Sequence, residues 1–214
     1  MYHGIVDRIA AASAARPAGV PDVRLVAVSK RQPVAAIRSL AELGQRDFGE
    51  NYLQEALDKQ AELADPSLTW HFIGPIQSNK TRAIAAHFDW VHGVDRVKIA
   101  RRLGEQRDPA MGPLNVLIQV NVDGEESKSG ADPADVAEIA AACAEYSTLR
   151  LCGLMCIPRP GNIGAFAALA ALNRSLAEPL PDLSMGMSSD FEAAIADGAT
   201  IVRVGTALFG PRDS

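Results

Sequence analysis

Leu25-Val26-Ala27-Val28-Ser29-Lys30 sets five residues suited to a buried β-strand ahead of a lysine. Arg31, Gln32 and Pro33 follow, and then the amphipathic run Val34 to Leu43. A strand that passes into a helix this way is the unit of parallel α/β sheets and barrels, where the carboxyl end of a strand faces the mouth that takes ligands. A lysine on a floor of valines is partly desolvated, which lowers its pKa and leaves a fraction as nucleophilic amine. Such an amine forms a Schiff base with an aldehyde or ketone. A solvated lysine marking the strand's end would read the same from this stretch alone.

Working outward, Ile5, Val6 and Ile9 form an apolar stripe over residues 3–15, a helix that Pro17, Gly19 and Pro21 end. Short apolar or β-branched runs then recur at 23–29, 46–49, 70–73, 89–93, 114–121, 149–156, 182–187 and 200–205. Helical patterns occupy 33–43, 51–64, 78–87, 95–107, 132–146, 163–177 and 190–197 between them. Eight strands, each but the last followed by a helix, predict a parallel sheet with crossover helices. The expected fold is α/β: a single (β/α)₈ TIM-type barrel over 1–214 with an extra N-terminal helix. An open doubly wound sheet would place a glycine-rich phosphate loop after its first strand, and Ser29-Lys30-Arg31-Gln32-Pro33 is not one.

Composition narrows the function. A net charge of −5 without a basic block argues against nucleic-acid binding. No apolar run reaches membrane-spanning length, and Met1-Tyr2-His3-Gly4 opens into a helical pattern without a signal-peptide core, so a cytoplasmic protein is expected. Cys152 and Cys156 fall in one predicted strand, roughly 13 Å apart at strand rise, too far for a disulfide. With Cys143 they are expected as reduced, buried thiols. His3, His71, His87 and His92 lack metal-ligand spacing and are read as structural or surface residues.

The strand ends collect polar residues. Asn51, in Phe48-Gly49-Glu50-Asn51-Tyr52, suits either a helix cap or an amide contact to a ligand. Gln77-Ser78-Asn79-Lys80 offers a cap at Ser78 or Asn79, or a lining for the mouth. Gly153 is positioned to relieve crowding inside a barrel. Met185-Gly186-Met187-Ser188-Ser189-Asp190 ends a strand in hydroxyls and opens a helix whose N–H groups suit an anion. Arg203 stands in an otherwise apolar strand and needs either a distant carboxylate or a ligand. Gly205 and Thr206 add donors suited to phosphate where barrels of this class bind it, after strands seven and eight.

A nucleophilic lysine, an anion pocket and an inward arginine fit a phosphorylated aldehyde held covalently, and pyridoxal 5′-phosphate (PLP) is such a molecule. The motifs Val26-Ala27-Val28-Ser29-Lys30, Phe48-Gly49-Glu50-Asn51-Tyr52, Trp70-His71-Phe72-Ile73-Gly74, Gln77-Ser78-Asn79-Lys80, Ser127-Lys128-Ser129-Gly130, Met185-Gly186-Met187-Ser188 and Val202-Arg203-Val204-Gly205-Thr206 make the resemblance specific. The chain resembles the YggS/PROSC family of PLP homeostasis proteins, whose fold-type III barrel is shared with the N-terminal domain of alanine racemase. The resemblance implies that Lys30 carries PLP, that Arg203 contacts the ring nitrogen, and that Ser188, Gly205 and Thr206 hold the phosphate. It implies further that Asn51 and Met185 line the ring's surroundings and that Lys128 sits in a loop near the site. Pro75 falls where many members have histidine and Cys156 where threonine is usual, which puts histidine-dependent chemistry at the third strand in doubt.

Three functions compete. A PLP carrier supports cofactor homeostasis and amino- and keto-acid balance without substantial turnover, with apo-PLP enzymes as transient acceptors. A PLP-dependent amino-acid racemase of low activity needs acid/base groups on both faces of the substrate. Lys30 can serve one face, but Tyr2, Tyr52 and Tyr146 fall on or near helices and none is an obvious partner. A Schiff-base aldolase acting on a sugar phosphate would dispense with PLP. The carrier is the expectation, as a monomer, because the second domain that pairs alanine racemases is not evident before Ser214.

Overall fold

A computed structural model describes residues 1–16, 21–125 and 129–210. Eight parallel strands close into a barrel in chain order: β1 (Arg24–Val28), β2 (Asp47–Glu50), β3 (Thr69–Phe72), β4 (Trp90–Val94), β5 (Leu114–Gln119), β6 (Leu149–Met155), β7 (Asp182–Ser184) and β8 (Ile201–Val204). The last strand pairs with the first, Val26 opposite Arg203, which leaves no sheet edge. The helices of the outer layer are α2 (Val34–Glu42), α3 (Leu53–Leu63), α4 (Thr81–His87), α5 (Val97–Gln106), α6 (Val136–Ala144), α7 (Gly164–Ser175) and α8 (Phe191–Ala196). The expected N-terminal helix is α1 (Tyr2–Ala14), which buries Ile5 and Ile9 and ties itself to α8 through Arg8 and Glu192. Two elements were not expected: a 3₁₀ turn over Pro109–Met111 and a single-turn helix, α9 (Thr206–Phe209), after β8.

Two apolar layers hold the barrel. Strand residues pointing outward pack under the helices, with Phe48, Ile118, Leu154 and Val202 fully buried there. A smaller cluster of strand residues, Val26, Trp90, Leu117, Cys152, Met155 and Ile201, fills the inside. Arg24 closes the lower end, its guanidinium 4.6 Å over the Trp90 ring. The register between β5 and β6 shifts at Val116/Leu117. Gly153 sits at that irregularity, and a Cβ there would collide with the backbone carbonyl of Asp182 on β7. The expected relief of crowding is thus a close approach of β6 to β7.

Six of the eight strands stop earlier at their carboxyl ends than the apolar runs predict, β2 and β4 being the exceptions. The run 182–187 yields a strand only over Asp182–Ser184, because Gly186 has φ +91°, outside the β region. All three cysteines are free and buried, as expected from their spacing. Among the described residues no helix is long and apolar enough to cross a membrane.

Candidate functional site

The barrel mouth holds a cleft of about 360 Å³, within the range of small-molecule sites, about 300–1,000 Å³. Lys30, Asn51, Ser188, Arg203, Gly205 and Thr206 all line it, together with Val28, Ile73, Ile157, Met187 and Ser189. Residues from both ends of the chain therefore meet in one space. Met185 does not: it is fully buried in the outer core, and Met187 lines the cleft instead. Ser184 faces inward, so Met185 faces outward by strand alternation, and Gly186, at φ +91°, ends that alternation before Met187. Lys128 lies outside the described residues.

Lys30 is half-buried two residues past β1, and the chain around it is clamped. Arg31 adopts φ +59°, a left-handed kink that turns the chain out of the strand direction. Lys59, from α3, donates to the carbonyl of Ser29 at 2.7 Å, to Glu50 at 2.8 Å and to Glu55 at 2.6 Å. Glu55 in turn accepts from the backbone N–H of Arg31, and Ser29 donates its hydroxyl to Glu50 at 2.6 Å. The peptide groups on both sides of Lys30 are thus held by one buried ion cluster. Burial pushes the Glu50 carboxyl up, against the pull of Lys59 and Ser29. Neither Lys59 nor Glu50 was singled out in the sequence, where they read as part of a helix face and a strand end.

Asn51 makes no cap to α3, whose N-terminal residue Tyr52 has no side-chain cap either, and the buried Oδ1 of Asn51 has no hydrogen-bond partner. The amide is therefore available to the cleft. Ser78 and Asn79 do not cap α4, whereas Gln77 and Lys80 line a groove that adjoins the cleft beside Asn51 and Pro75.

Arg203 is buried, yet among the described residues it forms no ion pair. It donates to Ser184 Oγ at 2.7 Å and to the carbonyl of Cys156 at 2.8 Å. Burial, opposed by Cys156 and Asp190, brings its pKa down to about 10, so it stays a cation at neutral pH. A guanidinium carries five N–H donors, and two protein acceptors leave others to face the cleft. At Cys156 the role belongs to the backbone carbonyl, which any residue there supplies.

Three of the N–H groups around the start of α8 are already committed. Asp190 accepts from the N–H of Met187 at 2.6 Å, and the N–H groups of Asp190 and Phe191 return to the Met187 carbonyl. Further donors lie on the turn after β8, where the N–H groups of Gly205 and Ala207 both reach Ser188 Oγ at 3.3 Å. Such long bonds leave the hydroxyl and both N–H groups easily redirected to an anion. Ala207 was invisible to sequence reading because its contribution is a backbone N–H.

Residues 7–213 match the alanine racemase N-terminal domain family. The pyridoxal phosphate homeostasis protein of Pseudomonas aeruginosa is 58% identical over 214 residues, covering 98% of this chain and 93% of the relative. The chain belongs to the pyridoxal phosphate homeostasis family. PipY of Synechococcus elongatus, solved with PLP bound, is 41% identical with a TM-score of 0.82, over 96% of this chain and all of that one. Alanine racemase from Corynebacterium glutamicum shares the fold alone, at 19% identity and a TM-score of 0.69 over 97% of this chain and 61% of that one.

The side chains present here fit the cofactor named for those relatives. An amine, an unpartnered amide oxygen, an arginine with spare donors and a loosely held hydroxyl with two N–H groups surround one cleft. The histidines read as structural or surface divide accordingly: His3 and His87 are exposed, whereas His71 and His92 are fully buried inside the barrel.

Proposed function

We propose that this chain binds PLP in the barrel-mouth cleft, carries it as a Schiff base on Lys30, and serves intracellular PLP homeostasis and amino- and keto-acid balance without substantial turnover. The observation that carries this reading is the convergence of Lys30, Arg203 and the Ser188–Gly205–Ala207 donors on one cleft. Lys30 would supply the amine for the aldehyde carbon, where a C=N bond forms as one water leaves. Ser188, Thr206 and the N–H groups of Gly205 and Ala207 hold the phosphate, and Asn51 offers its amide to the ring's surroundings. Arg203, a cation with no proton to give at neutral pH, donates to an unprotonated ring nitrogen. When bound, PLP supplies an electron sink, which an unprotonated ring nitrogen weakens.

The lining speaks for carriage over racemisation. Among the described residues that line the cleft, Lys30 is the one proton-transfer group of the amine, imidazole, carboxyl or phenol type. Tyr52 is exposed beside the neighbouring groove, and Tyr146 donates to Glu105 on the outer layer at 3.2 Å. Closure of β1 on β8 and the seating of α1 on α8 support a single domain over 1–214. A cytoplasmic monomer, with apo-PLP enzymes as transient acceptors, completes the reading.

The test is an absorbance spectrum of the purified protein before and after borohydride, with mass spectrometry locating the adduct. A visible band and a reduced adduct on Lys30, both lost in Lys30→Ala, are expected. A colourless protein that does not change on adding PLP overturns the reading and favours a sugar-phosphate aldolase. Amino-acid exchange at ordinary enzyme rates, roughly 1–10³ s⁻¹, overturns the carrier in favour of a racemase. Light scattering checks the monomer.

A further inference from the structure

Inside the barrel, four side chains from four strands connect Arg203 to the opposite end. Ser184 Oγ, on β7, accepts from Arg203 at 2.7 Å and lies 2.9 Å from Nδ1 of His92 on β4. Nε2 of His92 lies 3.0 Å from Nδ1 of His71 on β3. Nε2 of His71 lies 2.9 Å from Oδ1 of Asp47, the first residue of β2. His71 also stacks on Trp90, with ring centroids 5.6 Å apart, which fixes its ring plane.

The ends of this chain dictate every proton in it. Burial pushes the pKa of His71 down and that of His92 further down, so both rings are neutral near pH 7. A carboxylate only accepts, so His71 carries its proton on Nε2 and accepts at Nδ1. His92 must then donate from Nε2 and accept at Nδ1, and the hydroxyl proton of Ser184 points at His92. The Ser184 oxygen is left as an acceptor, which is what a guanidinium needs. Donation runs one way, from Arg203 through Ser184, His92 and His71 to Asp47, and hydrogen bonds aligned in this sense polarise one another.

We propose that Ser184, His92, His71 and Asp47 are positioning residues for Arg203, a one-way hydrogen-bonded chain that locks the guanidinium at the floor of the cleft and aims its remaining donors at the ring nitrogen of bound PLP. This rests on the reading of the cleft as a PLP site. The chain also answers how a buried arginine does without an adjacent carboxylate. The chain ends on Asp47, a carboxylate that also lies 3.8 Å from the Arg24 guanidinium, so Arg203 shares it with Arg24 through three neutral side chains. Reversing His71 alone would set two donors against each other at His92, and reversing His92 alone would set two acceptors against each other at His71, so the arrangement resists local rearrangement.

Two measurements test it. The first needs no cofactor: ¹⁵N shifts of the imidazole nitrogens in the apo-protein report tautomer and charge. Neutral His71 and His92, both protonated at Nε2, are expected near pH 7. A charged ring or an Nδ1–H tautomer at either position overturns the chain, whatever the cleft binds. The second uses ¹⁵N-labelled PLP with wild type, Ser184→Ala and Ser184→Thr. Wild type should show an unprotonated, hydrogen-bonded ring nitrogen. Ser184→Ala should keep its adduct on Lys30, move the ring-nitrogen signal away from the hydrogen-bonded position and release PLP up to about tenfold faster, the scale of one hydrogen bond. Ser184→Thr, which keeps the hydroxyl, should restore the signal. An unchanged ring-nitrogen shift and release rate in Ser184→Ala sinks the positioning role while leaving PLP binding intact. Failure of wild type to form the Lys30 adduct instead sinks the reading beneath it.

Discussion

Lys59 donates to the carbonyl of Ser29 at 2.7 Å, reaching it from a helix thirty residues further along the chain. That bond, with the one from Arg31 N–H to Glu55, fastens the backbone on both sides of Lys30 to a single ammonium–carboxylate cluster. The residue that holds PLP in our reading is therefore a flexible side chain on a fixed base. Preorganisation of this kind lowers the ordering cost of binding.

Removing Lys59 leaves Glu50 buried without its cation, and Glu50 Oε2 already has no hydrogen-bond partner. Breaking one side of a buried ion pair costs about 3–5 kcal/mol. Lys59→Met should lower the unfolding free energy on that scale in urea titrations and speed PLP release. Adding Glu50→Gln should recover a large part of the stability, because the stranded charge is gone. A double variant no more stable than Lys59→Met would show that the ammonium acts through Ser29 and Glu55 alone.

Stability should fall as pH drops below the ordinary histidine range. Burial depresses the folded-state pKa of both His71 and His92, so between those values and about 6.5 the unfolded chain binds protons that the folded chain does not. Each histidine then contributes a slope of up to about 1.4 kcal/mol per pH unit, favouring the folded state as pH rises. Glu50 works in the opposite sense from about 4.5 upward, since its folded-state pKa is raised. Comparing wild type with His92→Asn isolates the imidazole: the urea midpoint of the variant should depend less on pH between 5 and 6.5. Equal slopes in the two proteins would contradict the burial of a neutral ring.

The thiols should be inert in the folded protein. Burial pushes Cys143 and Cys156 up to about 12 and Cys152 up to about 11, and at Cys156 it outweighs the attraction of Arg203. At pH 8 the thiolate fraction is then on the order of 10⁻³ to 10⁻⁴, and the thiolate is the reactive form. Iodoacetamide should label none of the three in native buffer over minutes and all three in urea. Rapid native labelling of any one would place it at the surface.

Gly153→Ala should destabilise by about 1–3 kcal/mol or more, because the new methyl meets the Asp182 carbonyl and the backbones of β6 and β7 must part. Gly4→Ala is the control: nothing lies within 4 Å of its Cβ position in α1, and stabilisation of roughly 0.4–1 kcal/mol is expected. Thermal melts separate the two. Equal effects would mean that the approach of β6 to β7 yields without cost.

Much of the molecule was legible in the chain itself. The alternation of short apolar runs with amphipathic runs is local physics, periods of two and 3.6 residues, and it predicted eight strands and their crossover helices. Six of the seven cofactor contacts implied by resemblance, Lys30, Asn51, Ser188, Arg203, Gly205 and Thr206, line one cleft because strand carboxyl ends share one face of a barrel. Met185, the seventh, packs in the outer core, since it follows the inward-facing Ser184 on the strand.

The tertiary structure alone decided the rest. Asp47, His71, His92 and Ser184 each stand at an inward, polar position of a separate strand, a pattern that a period of two reveals residue by residue. Their joining depends on barrel register and stagger, which bring β2, β3, β4 and β7 together across the axis at distances of about 3 Å. Lys59 finds Ser29, and Ala207 contributes a backbone N–H, for the same reason. Local periodicity sets which side of a strand a residue faces, but contact across a closed sheet is a property of the closure, and no spacing along the chain encodes it.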